Sequence, residues 1–125
     1  MSERAIFSGA YPIGGTQVQS LPVKHLGPAI GYYTRVLGFS LVSKTETSAI
    51  LQRDQAQIGL AENGQDPEQA SCYFDVSDVE ALQSELEEIG IEPTAIRVDK
   101  HEGKQYRVCF AREPYGVCFC FGQPV

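Results

Sequence analysis

The sequence predicts an α+β fold built from two βαβββ units. Three observations carry that expectation. The order strand, helix, three strands occurs twice along the chain. The helices are introduced and ended by matching runs: Val23-Lys24-His25-Leu26 to Leu37-Gly38-Phe39, and Val76-Ser77-Asp78-Val79 to Ile89-Gly90-Ile91. The clearest loop, Glu62 to Gln69, separates the two copies. A repeat of this kind constrains the fold more than any single motif, because neither unit can bury a sheet face alone. Pairing them gives a curved mixed sheet with helices on its convex side and a cleft on the concave side.

Residues 1–15 read as a loosely held arm, punctuated by Gly9, Pro12, Gly14 and Gly15. Its apolar residues Ile6, Phe7, Tyr11 and Ile13 suit a lid or a dimer strap. The domain proper is expected over 16–125, with half-repeats at about 16–62 and 70–122. Thr16 to Val23 reads as a strand. Leu26 to Leu37 reads as a helix, since Leu26, Ile30, Tyr33 and Leu37 share one face and Pro28 sits near its start. Strands follow at Phe39 to Thr45, Ser48 to Arg53 and Ala56 to Ala61, divided by polar breaks.

In the second half, Ala70 to Val76 reads as a strand. Ser77 and Glu80 form a Ser-x-x-Glu capping box for the next helix. Val79, Leu82, Leu86 and Ile89 make its apolar face, which leaves Glu85, Glu87 and Glu88 on its solvent side. Strands follow at Pro93 to Asp99, Gln105 to Arg112 and Val117 to Phe121. A turn at Glu113-Pro114-Tyr115-Gly116 joins the last two.

The 125 residues amount to one domain, 42% hydrophobic and 21% charged, enough for a real core. No run approaches the ~20 apolar residues of a membrane span, and no signal-peptide core opens the chain. A cytoplasmic setting with no membrane partner is therefore expected. The net charge of -6 argues against nucleic acid, whose binders need a basic face. It suits a neutral or cationic ligand, and equally suits plain solubility. Four cysteines in apolar strand-like runs do not read as a disulfide framework.

Leu21-Pro-Val-Lys-His-Leu26, followed by Ile30-Gly-Tyr-Tyr-Thr-Arg-Val-Leu-Gly-Phe39, resembles the opening of glyoxalase and bleomycin-resistance-like proteins. Tyr73-Phe-Asp-Val-Ser-Asp-Val79 resembles their second-half start, and Glu113-Pro-Tyr-Gly-Val-Cys-Phe119 their closing hairpin. The resemblance spans about residues 16 to 122. His25 stands where that family usually carries a capping aspartate, Glu113 replaces an aspartate, and Val117 replaces an asparagine.

The resemblance implies a cleft that in many members holds a divalent metal on four side chains. Those positions fall here at Val18, within Gln57 to Gly59, at Ser71 and at Cys120. Valine and glycine offer no donor and serine is a poor one, so no metal or other cofactor is expected. The two histidines, His25 and His101, fall outside the cleft strands. A four-residue hairpin loop would set Arg112 opposite Val117, Ala111 opposite Cys118, Phe110 opposite Phe119 and Cys109 opposite Cys120. That register puts Cys109, Ala111, Cys118 and Cys120 on the cleft face, with Arg107 beside them as a candidate anion anchor. Val108, Phe110, Phe119 and Phe121 then pack under a helix. The candidate cleft is Val18, Ser20, Gln57, Gly59, Ser71, Arg107, Cys109, Cys118 and Cys120. A thiol redox or soft-metal site is the sharper reading of the cysteines, and small residues that make room for a ligand the blander one.

The leading functional expectation is a metal-independent small-molecule-binding homodimer that sequesters a drug or metabolite, with no catalytic residue. A divalent-metal-dependent lyase, isomerase or dioxygenase with atypical ligands is the alternative. A structural dimer with a filled cleft is the third reading. The open edges of the sheets favour a dimer under each.

Overall fold

The computed structural model describes residues 5–125. Strand β1 (Phe7–Pro12) leads into a short 3-10 turn at Val18–Ser20 and the two-residue strand β2 (Leu21–Pro22). Helix α1 (Leu26–Arg35) and strands β3 (Ser40–Lys44), β4 (Ser48–Arg53) and β5 (Ala56–Ala61) complete the first unit. A second 3-10 turn at Pro67–Gln69 precedes β6 (Ser71–Val76), α2 (Val79–Glu88), β7 (Arg97–His101), β8 (Lys104–Arg112) and β9 (Cys118–Pro124). The two βαβββ units are therefore present.

They form two sheets, ordered β2-β5-β4-β3 and β1-β6-β9-β8-β7. In each unit the first strand runs parallel to the last, β2 with β5 and β6 with β9, while the other neighbours are antiparallel. The arm thus contains a strand: β1 pairs with β6 from Phe7 to Pro12. Phe7 accepts from the Gln55 amide through its carbonyl, so β1 also ties the first sheet to the second. Residues 1–4 of the expected arm lie outside the described residues.

The expected strand over 16–23 shrinks to two paired residues. The Gln19 carbonyl lies against Gly59, where a Cβ would stand 1.9 Å from it. That close approach leaves the 3-10 turn seated on β5 and no room for a longer ladder.

Inner-face residues of both sheets share one core. Its centre is aromatic. Phe74 meets Phe119 at 5.1 Å and Phe7 at 5.2 Å between ring centroids, and Tyr33 of α1 reaches Phe119 across the two units. The void where Phe7, Phe74 and Phe119 meet Arg53 and the Leu82 and Leu86 side of α2 is about 10 Å³, which is small by the standard of protein interiors. Each sheet's other face, turned away from the helices, lies on the outside.

Helix starts differ from expectation in informative ways. His25 is the N-cap of α1 but makes no side-chain cap bond. Glu62, at the far end of the same unit, accepts instead from the Leu26 amide at 2.7 Å. Asp78, not Ser77, caps α2, accepting from the Glu80 and Ala81 amides at 3.1 Å. Ser77 Oγ accepts from the Ile6 amide at 2.9 Å and so secures β1. Asp78→Ala is expected to cost about 1 kcal/mol, measured by urea unfolding. Ser77→Ala is expected to cost less and to act on protection of the Ile6 amide from hydrogen exchange.

Candidate functional site

The open face of the five-stranded sheet is set by strand register. Ser71, Tyr73 and Asp75 of β6 stand beside Cys118, Cys120 and Gly122 of β9. Those in turn oppose Arg112, Phe110 and Val108 of β8. Arg97 and Asp99 of β7 and Tyr106 of β8 extend the face at one edge, and Tyr11 of β1 extends it at the other.

This register corrects the expected hairpin. Arg112 pairs with Cys118, Ala111 with Phe119, Phe110 with Cys120 and Cys109 with Phe121. The connection is one residue longer than a four-residue loop. The Glu113 amide donates to the Val117 carbonyl, the Val117 amide donates back to Glu113 Oε1, and Gly116 takes φ +118. A shift of one residue reverses the facing of every side chain on one strand. Phe119 and Phe121 therefore lie on the core face with Cys109 and Ala111, and Phe110 and Val108 on the open face.

The candidate cleft residues separate accordingly. Ser71, Cys118 and Cys120 come together on the open face of the five-stranded sheet. Cys109 is fully buried in the core, and Arg107 faces α2, where it pairs with Glu80. Both are removed from the cleft face. Gln57 and Gly59 lie on the open face of the four-stranded sheet, opposite Gln52 and Ile50. Val18 is buried and Ser20 exposed in the 3-10 turn that covers Gly59. The nine residues thus divide between a 3-10 turn, the open face of one sheet and both faces of the other. Three surface hollows, of 310, 450 and 360 Å³, are lined by none of them.

The charged groups of the open face are Arg97, Arg112 and, at the β7–β8 hairpin end, Lys104, set against Asp75 and Asp99. Arg97 is paired with Asp99 at 3.2 Å, and its guanidinium lies 4.9 Å from the centroid of the Phe110 ring. Arg112 donates to the Gly116 carbonyl of its own turn. The arginines of this face are thus Arg97 and Arg112, which sequence reasoning did not select. Their signal was the alternation of β7 and β8, legible only with the register in hand.

Cys72, Cys109 and Cys120 are held as protonated thiols. Burial is the main cause in each case, pushing Cys72 and Cys120 up to about 12 and Cys109 up to about 11. A nucleophilic or metal-binding cysteine needs the opposite shift. No three His, Cys, Asp or Glu side chains are grouped to hold a metal ion among the described residues. The four positions aligned with metal ligands carry valine, glutamine or glycine, serine and cysteine, and two of them belong to each unit. This donor set does not fit a divalent metal.

Tyr73 has an unusual hydroxyl. It is buried and has no hydrogen-bond partner among the described residues. Burial first, and the neighbouring Asp75 second, push its pKa up.

The family model for the Glyoxalase/Bleomycin resistance protein/Dioxygenase superfamily matches residues 16–121. No curated protein matches the chain in sequence. Among solved structures, a virulence protein from Salmonella typhimurium aligns with a TM-score of 0.71 at 22% identity, covering 92% of this chain and 100% of that one. The bleomycin-binding protein from bleomycin-producing Streptomyces verticillus aligns at 0.66 and 19% identity, covering 89% and 97%. TnmS3, an antibiotic-binding protein from a Streptomyces species, aligns at 0.70 and 20% identity, covering 90% and 98%.

Proposed function

The chain belongs to the Glyoxalase/Bleomycin resistance protein/Dioxygenase superfamily, and from that premise we propose that it is a metal-independent protein that sequesters a small molecule. The observation that carries the reading is the open face of the five-stranded sheet. It presents aromatic rings and small residues to the outside, and no cluster of metal-binding side chains lies among the described residues. Aromatic groups on a fixed scaffold supply binding area at little entropic cost. The solved structures named for binding bleomycin or another antibiotic share this fold, which supports the same reading.

The binding unit is a homodimer. Both sheets turn their inner faces to one core, so a cleft between two open faces needs a second chain. The edge strands support this: Leu41 and Val42 of β3 and Val98 of β7 are exposed, a condition that pairing or covering relieves. A monomer by sedimentation at micromolar concentration contradicts the dimer. Among the described residues no helix is long and apolar enough to cross a membrane. The four free cysteines suit a reducing, cytoplasmic compartment.

The deciding test is thermal unfolding against a panel of antibiotics and aromatic metabolites, run in excess chelator. A ligand at a hundred times its Kd stabilises by about 2.7 kcal/mol, which raises Tm by several degrees in a domain of this size. A rise that survives chelator is expected. A rise that appears only with Fe, Mn, Ni or Zn overturns metal independence and favours a lyase or dioxygenase, to be assayed as such.

A further inference from the structure

Two tyrosines on the open face of the five-stranded sheet lie down on it instead of standing off it. An ideal Cβ on Gly122 would be 2.1 Å from the Tyr73 hydroxyl oxygen, and one on Gly9 would be 2.8 Å from that of Tyr11. Each ring thus fills space that only a glycine leaves open. The ring centroids are 6.2 Å apart and the planes tilt by 43°. Further along the same face the planar guanidinium of Arg97 covers Phe110. Side chains that lie along a sheet turn flat surfaces outward, and offset stacking on such surfaces is favourable.

Charge narrows what stacks there. The chain carries -6 overall, but beside the aromatic residues this face carries two arginines, Arg97 and Arg112, against two aspartates, Asp75 and Asp99, which sum to zero, and its further cation, Lys104, lies six residues along β8 from Phe110, at the β7–β8 hairpin end. The open face of the four-stranded sheet presents Ser48, Ile50, Gln52 and Gln57, all uncharged. The negative charge is instead concentrated on α2 and on the loop from Glu62 to Glu68. A cation therefore gains no attraction at the platform, and any charged ligand loses hydration with no net opposite charge to offset it.

We infer that the open face of the five-stranded sheet is a stacking platform for an uncharged, planar aromatic molecule, held chiefly on Tyr11 and Tyr73. This rests on the binding role proposed above and adds the ligand's chemical class.

The test is a matched series titrated into the full chain and followed by NMR: naphthamide, naphthoate, naphthylmethylammonium and the non-aromatic cyclohexanecarboxamide. Naphthamide is expected to bind about tenfold or more tighter than the other three. Tyr11→Ala and Tyr73→Ala are each expected to weaken it roughly tenfold, the share of stacking and buried area that one ring supplies. Tyr73→Phe keeps the affinity, because the ring and not the buried hydroxyl is the platform. Gly122→Ala keeps both rings but lifts Tyr73, and is expected to weaken binding like its removal. Should Tyr73→Ala fail to fold, Tyr11→Ala carries the test, since Tyr11 is half exposed on an edge strand.

Equal or tighter binding of naphthoate or naphthylmethylammonium, lost in the tyrosine variants, overturns the ligand class and leaves the binding role standing. Naphthamide binding that ignores the tyrosine variants overturns the platform. Binding of none of the four also overturns it, while the binding role itself then stands or falls on the antibiotic panel in chelator.

Discussion

Arg53→Ala is expected to destabilise the chain by about 3–5 kcal/mol, the range for removing one partner of a buried ion pair. Arg53 is 5% exposed. Its guanidinium donates to both oxygens of Glu85 at 2.7 and 2.9 Å, to the Leu37 carbonyl at 2.8 Å and to the Ala5 carbonyl at 3.0 Å. It also lies 4.1 Å from the centroid of the Phe7 ring. One side chain thus joins β4, the end of the α1 segment, the entry to β1 and α2. Truncation leaves the Glu85 carboxylate and two carbonyls without that donor, which is why the loss exceeds the net worth of any one bond.

A double-mutant cycle separates the pair from the carbonyl contacts. Arg53→Met with Glu85→Met removes both charges and restores apolar volume. It is expected to recover part of the single-variant loss, because isosteric replacement of a buried pair is often close to neutral. Recovery stays incomplete, since Leu37 and Ala5 still lack their donor. Urea unfolding of the four proteins measures the cycle. A loss below about 1 kcal/mol in Arg53→Ala contradicts the buried pair.

This interaction also marks where sequence reading stops. Glu85 belongs to a run that reads as the solvent face of α2, and nothing local shows that β4 supplies an arginine to it. Local signals served well where they act locally. Strands β4 and β5 fall where Asp54-Gln55 divides two apolar runs, and Asp54 takes the positive φ of 53° that such a tight turn demands. Periodicity identified Tyr33 as the buried tyrosine of α1, and it is fully buried. The strand β1 escaped because Gly9 and Pro12 break its pattern and its order comes from pairing with β6. The site suffered most from one residue of hairpin length. That residue moved Cys109 into the core and placed Phe110 on the open face, and the family resemblance could not correct it. The recognition of a repeated βαβββ unit survived because it depends on element order, which a register shift leaves intact.

Glu113 is expected to make stability fall as pH rises above the ordinary carboxyl range. It is 2% exposed, its Oε2 accepts from the Tyr33 hydroxyl at 3.0 Å, and its Oε1 accepts from the Val117 amide at 2.7 Å. Burial raises its pKa from the ordinary 4.5, and the bonds from Val117 and Tyr33 only partly oppose the rise. A carboxyl with a raised native pKa binds more protons folded than unfolded between the two values. Its stabilising contribution is therefore complete below about 4.5 and is lost as pH climbs through the native pKa. Glu113→Gln removes that titration and keeps a hydrogen-bonding group against both neighbours. Its stability relative to the unmodified chain should rise from about pH 4.5 to about pH 8. Glu113→Ala instead orphans the Tyr33 hydroxyl and the Val117 amide, at a cost of about 2–4 kcal/mol at either pH. Because Tyr33 lies on α1 and Glu113 at the β8–β9 turn, this loss loosens the packing between the two units as well as the turn. Paired urea titrations at the two pH values decide it: a Gln variant whose offset does not move with pH would show that Glu113 titrates normally in the native state.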